Sequence, residues 1–169
     1  MPADGVGSSS GSEGAVAARH GSRQGGVPLI ATVEKVLFLG AAELFAALPG
    51  EDLARIALLA EEEQRGAGEE IFHEGEIADA LYLIVEGRVR VLKANSVVAE
   101  LGEREVFGEM ALLDPAPRSA TVQATTNTVL LRIRREDFQD LLAEELEVAR
   151  AVIRVLARRL RAAMPQSPG

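Results

Sequence analysis

Apolar positions over residues 29–65 recur at helical spacing. Ile30, Val33, Val36, Leu37 and Leu39 open the run, Gly40 breaks it, and Leu44, Phe45 and Leu48 follow. Pro49-Gly50 then punctuates the chain before a second stretch of Leu53, Ile56, Leu58 and Leu59. This pattern predicts amphipathic helices over residues 29–65, with residues 61–64 as a polar exit. From Gly66 the period shortens. Short apolar runs appear at Ile71-Phe72, Leu81-Tyr82-Leu83-Ile84-Val85, Val89-Arg90-Val91-Leu92, Val97-Val98 and Val106-Phe107. Gly68, Gly75, Gly87, Asn95 and Gly102 separate them, and Thr121-Val122-Gln123-Ala124 and Thr128-Val129-Leu130-Leu131-Arg132-Ile133 complete the series. Strands of this length and spacing predict an antiparallel barrel or jelly roll, with Glu86-Gly87 as a hairpin signal.

The last segment, from about Glu136, reads as helix. Leu142, Leu146, Ala149, Ile153, Leu156, Leu160 and Ala163 are spaced alternately four and three apart, an a/d stripe that either packs on the sheet body or pairs with a second copy. Residues 1–28 are unlike the rest. Half of them are Gly, Ser or Pro and no apolar periodicity runs through them, so they are expected to form a disordered tail ahead of a domain spanning residues 29–164.

Composition narrows the function. With no Trp, one Tyr and 4% aromatic residues overall, the core must be aliphatic. The absence of Cys excludes a disulfide scaffold, a thiolate metal site and a Cys nucleophile. The two His residues, His20 and His73, are far apart, which argues against a zinc site. The net charge of −8 argues against non-specific nucleic-acid binding, which depends on Lys and Arg neutralising phosphates. No membrane-span pattern and no secretory h-region is visible, so a cytoplasmic protein is expected. The charge is uneven. Residues 29–128 carry 18 acids and 8 bases while residues 129–169 carry 6 acids and 8 bases, so the basic excess falls on the final helix, at Arg150, Arg154, Arg158, Arg159 and Arg161. That placement suits the negative end of a helix dipole, and it also suits contact with a ligand or partner.

One stretch carries chemistry. Residues 107–121 read Phe-Gly-Glu-Met-Ala-Leu-Leu-Asp-Pro-Ala-Pro-Arg-Ser-Ala-Thr. They predict a one- to two-turn helix inserted between two strands, whose first N–H groups are free for an anion. Gly108 lets a ligand approach the backbone. Arg118 supplies a fork for a phosphate, and Ser119 a hydroxyl donor. Glu109 would repel that phosphate unless it accepts hydrogen bonds from hydroxyls elsewhere on the ligand, and a sugar phosphate meets both demands. Spacing alone also allows a surface ion pair between Glu109 and Arg118.

This segment resembles the phosphate-binding cassette of the cyclic nucleotide-binding domain family. The preceding Gly68-Glu69-Glu70-Ile71-Phe72-His73-Glu74-Gly75 and Leu81-Tyr82-Leu83-Ile84-Val85-Glu86-Gly87-Arg88-Val89 are similar to that family's first strands. The resemblance implies an α+β domain, an antiparallel β-roll of about eight strands with N-terminal helices, the short inserted helix and a C-terminal lid helix. It implies that Glu109 accepts the ribose 2′-OH and Gly108 packs under the sugar. Arg118 and Ser119 would hold the cyclic phosphate, with the N–H groups of Met110, Ala111 and Ala120 assisting. A residue of the last helix would cover the base, with Arg158, Leu160 and Arg161 as candidates. Ser119 stands where cyclic GMP-binding members often carry Thr, which favours cyclic AMP. One departure is Arg104, in the turn Leu101-Gly102-Glu103-Arg104-Glu105-Val106, where the family usually has a second Gly.

No catalytic set, P-loop or metal ligands accompany the cassette, so no enzyme activity is expected. Eight residues follow Arg161, too few for a DNA-reading helix, so neither nucleic acid nor membrane is an expected partner. The expectation is a cyclic nucleotide sensor, cyclic AMP rather than cyclic GMP, signalling to an effector protein through its C-terminal helix. The competing reading is an interaction module that forms a homodimer through the same helix, its pocket vestigial or differently occupied.

Overall fold

The computed structural model describes residues 30–165; the expected tail, residues 1–28, lies outside them. Two helices, α1 (Thr32–Ala41) and α2 (Gly50–Leu59), precede eight strands. The strands are β1 (Glu61–Arg65), β2 (Glu70–Phe72), β3 (Ala80–Glu86), β4 (Val89–Lys93), β5 (Ser96–Leu101), β6 (Val106–Phe107), β7 (Thr121–Ala124) and β8 (Thr128–Arg134). A short 3₁₀ helix, Glu109–Leu112, is inserted between β6 and β7, and α3 (Arg135–Glu144) and α4 (Leu146–Ala163) close the chain. The strands form two four-stranded antiparallel sheets in the orders β1-β8-β3-β6 and β2-β7-β4-β5. This is the α+β roll that the resemblance implied.

Two apolar cores follow from the alternation of side chains along the strands. On β3 and β8, Leu81, Leu83, Leu131 and Ile133 face the helices and pack with Leu39, Phe45, Ile56, Phe138 and Val155. The opposite faces, Tyr82, Ile84 and Leu130, meet Phe72, Val89, Phe107 and Val122 inside the roll. Burial on both sides explains why β3 reads as an unbroken apolar run rather than an alternation.

Four local expectations change. First, residues 61–64 are not a helical exit but part of β1, paired with β8 in the register Glu61↔Arg132 to Arg65↔Thr128. No apolar alternation marks this edge strand; ion pairs Glu63–Arg65 at 3.1 Å and Glu63–Arg132 at 3.6 Å dress it instead. Second, Glu86-Gly87 is not a hairpin. β3 and β4 lie in different sheets, and Gly87, with φ +96°, turns the chain from one to the other against the Asn127 carbonyl. The two-residue hairpin lies between β4 and β5, where Ala94 and Asn95 both take positive φ.

Third, the C-terminal helix is two helices. Glu145 leaves helical geometry at φ −118°, ψ 89°, and its carboxylate lies 3.6 Å from Arg55 on α2. Leu142 therefore belongs to α3, and the stripe does not run unbroken. Its continuation is divided: Ala149 and Leu156 are half-buried, Leu156 in contact with the body, while the other apolar members face outward. α4 buries Val148, Ala151 and Val155, while Leu146, Ile153 and Leu160, on the opposite side at about 100° per residue, are exposed. Fourth, the turn at Arg104 keeps its geometry without the second glycine. Arg104 itself takes φ +71° and donates its N–H to the Ile84 carbonyl at 2.8 Å.

Candidate functional site

The cassette is built where β6 leaves the roll. β6 pairs with β3 through Tyr82↔Phe107, and at Gly108 the chain turns with φ +74°, ψ 19° into the 3₁₀ helix. Ala111 and Leu112 are buried, which fixes that helix to the body, while Met110 is exposed. The returning strand is laced to the segment before β3. Gly75 donates to the Arg118 carbonyl at 2.9 Å, Arg118 to the Glu76 carbonyl at 2.6 Å, and Ala78 to the Ala116 carbonyl at 3.1 Å. The Thr121 hydroxyl accepts the Glu74 N–H at 2.9 Å. Residues 74–78 thus set the shape of the cassette by backbone pairing, which leaves no mark on side-chain identity.

Arg118 is the centre of the site, and it is only 7% exposed. Its guanidinium lies 3.9 Å above the Phe72 ring and donates to the Ala80 carbonyl at 2.7 Å and to the Gly108 carbonyl at 3.5 Å. Asp79 Oδ1 is 3.9 Å from Arg118 Nη2. Burial pulls the Arg118 guanidinium below the ordinary arginine value, opposed by Tyr82, Asp79 and Glu76. The charge is retained, since arginine titrates far above neutral pH, but it is poorly solvated. Gly108 is required beside it. A Cβ there would lie 2.6 Å from Arg118 Nη1 and 3.2 Å from the Ala80 carbonyl.

The structure brings Gly108 and Arg118 together, and Glu109 follows Gly108 directly. Glu109 opens the 3₁₀ helix and lines a crevice of about 70 Å³ together with Leu44, Phe45, Met110, Leu156 and Arg159. Ser119 is exposed and Ala120 half-buried beside Arg118. The N–H groups of Met110 and Ala120 have no backbone partner among the described residues, whereas that of Ala111 is donated to the Gly108 carbonyl at 3.1 Å. Arg158, Leu160 and Arg161 all lie on exposed positions of α4; Arg159, not Arg158, shares the crevice with Glu109. Phe72, Asp79 and Ala80, which hold Arg118, were not singled out by the sequence pattern, because they meet it only through tertiary pairing. Among the described residues no group of three or more His, Asp or Glu side chains is placed to hold a metal ion.

Comparison with known proteins identifies the family and the fold. The family model described as cyclic nucleotide-binding domain matches residues 62–145. The chain is 42% identical over 101 residues to the cyclic AMP receptor protein of Thermus thermophilus, covering 57% of this chain and 47% of that protein. It is 38% identical over 114 residues to the cAMP-dependent protein kinase regulatory subunit of Eremothecium gossypii, covering 67% of this chain and 25% of that one. Among solved structures, the N-terminal domain of a transcriptional regulator from Streptomyces coelicolor A3(2) superposes with a TM-score of 0.70 at 37% identity, covering 77% of this chain and 99% of that one. The β-roll with its inserted 3₁₀ helix and buried arginine matches a family of ligand-binding, regulatory domains. The chain belongs to the cyclic nucleotide-binding domain family. It spans less than half the length of these curated relatives. No described helix is long and apolar enough to cross a membrane.

Proposed function

We propose that this chain is a cytoplasmic cyclic nucleotide sensor whose ligand is 3′,5′-cyclic AMP, and that it signals to an effector protein through movement of α4. The observation that carries this reading is the buried Arg118, charged and held beneath Gly108 by two carbonyls, with the exposed Asp79 carboxylate 3.9 Å away. A cyclic phosphate above Gly108 gives that guanidinium a hydrogen-bonded counter-charge, where Asp79 at 3.9 Å offers only a longer-range one. Glu109 accepts the ribose 2′-OH, Ser119 and the free N–H groups of Met110 and Ala120 complete the phosphate cradle, and Arg158 is the candidate from α4 to cover the base. Ser119, in the place of a Thr, supports the adenine nucleotide. Because Glu109 and Met110 share a crevice with Leu156 and Arg159, a ligand that draws the 3₁₀ helix inward changes what α4 rests on. The nucleotide therefore shifts the population of α4 positions to the extent that it prefers one of them.

Isothermal titration of cyclic AMP and cyclic GMP into wild type and Arg118→Ala tests the reading. Losing the charge-assisted pair removes roughly 2–3 kcal/mol, or about 30–150-fold in affinity. Wild type that takes up neither nucleotide overturns it.

The exposed stripe favours a second element. Leu146, Ile153 and Leu160 are seven residues apart and open to solvent, with the half-buried Ala149 and Leu156 at the edge of the stripe, which fits a parallel pair of α4 helices from two copies of the chain. Ile153→Glu leaves the domain folded, since Ile153 is exposed, and converts a dimer to a monomer in light scattering. A monomeric wild type removes the pairing.

A further inference from the structure

Asp79 is shared between two arginines. Its Oδ1 lies 3.9 Å from Arg118 Nη2, and its Oδ2 accepts a hydrogen bond from Arg132 Nη2 at 3.2 Å. Arg132 is on β8, opposite Tyr82 of β3 and Glu61 of β1, so it faces the roll interior. Its Nη1 is 3.6 Å from Glu63 Oε1, and Glu63 Oε2 is in turn 3.1 Å from Arg65. The groups form a row, Arg118–Asp79–Arg132–Glu63–Arg65, of three cations and two anions.

The row is costly to keep. Arg132 Nε and Glu63 Oε2 are buried with no hydrogen-bond partner among the described residues; Arg65 approaches Glu63 Oε2 without hydrogen-bond geometry. Neighbouring positions on the same inner face, Ile84 and Leu130, are aliphatic, and an aliphatic pair in place of Glu63 and Arg132 would hold the strands at least as well. Stability therefore does not account for Arg132, and its charge does. With Asp79 and Arg118 alone, an arriving phosphate meets a neutral pair and must leave a bare carboxylate beside itself when it draws Arg118 away. With Arg132 present, Asp79 stays paired, and the row presents one positive charge in excess.

We propose that Arg132 is a positioning residue for the bound phosphate, acting on Arg118 through Asp79. This rests on the sensor reading above. Burial depresses the Arg132 guanidinium, yet Tyr82, Glu63, Asp79 and Glu61 together raise it above the ordinary arginine value, so it remains a fixed cation in that row.

The test is titration of cyclic AMP into wild type, Arg132→Met, Asp79→Asn and the double variant, with melting curves to confirm folding. Arg132→Met weakens binding about fivefold, the upper end for a pair with a partly exposed member, and the loss shrinks as salt is raised. In the Asp79→Asn background the same change costs less than about twofold, because there is no carboxylate left to neutralise. Arg132→Lys, which keeps the charge if Met should disturb the fold, stays close to wild type. Unchanged affinity in Arg132→Met, or a loss that salt and Asp79→Asn leave intact, overturns the proposal while Arg118→Ala still loses binding. A wild type that binds no nucleotide overturns both readings.

Discussion

Replacing Gly108 with alanine imposes two separable costs. Gly108 has φ +74°, and a left-handed alanine costs about 1 kcal/mol. The second cost is steric. The new Cβ sits 2.6 Å from Arg118 Nη1, so the guanidinium must retreat by about 1 Å to reach ordinary contact. It has little room to do so, because the ring of Phe72 is 3.9 Å away and the Ala80 carbonyl, its 2.7 Å acceptor, is itself 3.2 Å from the added carbon. Losing a hydrogen bond to a charged group adds about 2 kcal/mol, for a total of about 3 kcal/mol and a melting temperature about 10 °C lower. Gly68→Ala supplies the control. Gly68 also has positive φ, +89°, but nothing lies within 4 Å of its Cβ position, so only the conformational cost applies, about 1 kcal/mol. Thermal melts and cyclic AMP titrations of both variants separate the terms. Gly108→Ala binds at least about 30-fold more weakly, while Gly68→Ala binds like wild type. Equal melting temperatures, or Gly108→Ala binding with wild-type affinity, would show that the missing Cβ does not hold Arg118 in place.

Two further substitutions probe the frame around the site. Arg104→Gly relieves a left-handed arginine that makes no ion pair among the described residues; after the added freedom of the unfolded chain is subtracted, stability rises by about 0.5 kcal/mol, seen as a melting point about 2 °C higher with binding unchanged, and a lower melting point refutes it. Gly87→Ala places a Cβ 2.6 Å from the Asn127 carbonyl oxygen and 2.9 Å from Thr128 Cα, backbone atoms of the next strand that cannot step aside, and costs about 3 kcal/mol or more, read as a urea midpoint about 1.5 M lower; a midpoint within error of wild type refutes the assignment of that corner.

The cassette was legible in the sequence because its chemistry is contiguous. Gly108, Glu109, Arg118 and Ser119 lie within twelve residues, and a glycine followed by an acid and a Pro-flanked arginine can be read without knowing what surrounds them. What surrounds them was not legible. Asp79 and Phe72 reach Arg118 across 39 and 46 positions, and nothing about an Asp or a Phe in isolation says that a guanidinium will lie against it. β1 was hidden for a different reason. Glu61, Glu62, Glu63, Gln64 and Arg65 carry no apolar alternation, and only pairing with β8 makes them a strand. The break at Glu145 was hidden as well, since glutamate is a good helix former; the apolar spacing runs through it although the backbone does not.

The aromatic poverty of the chain has an experimental use. There is no Trp, and Tyr82 is the only Tyr in all 169 residues, so tyrosine emission, excited beyond the phenylalanine band, reports from a single ring. That ring is 4% exposed, stacked on Phe107 with centroids 5.3 Å apart, and lies 6.0 Å from the Arg118 guanidinium. Burial and the charge of Glu63 raise its phenol above the usual tyrosine value, so it stays protonated through the neutral range and tyrosinate does not confuse the signal. A label-free fluorescence titration therefore reads from the immediate neighbourhood of the arginine to which the phosphate is assigned.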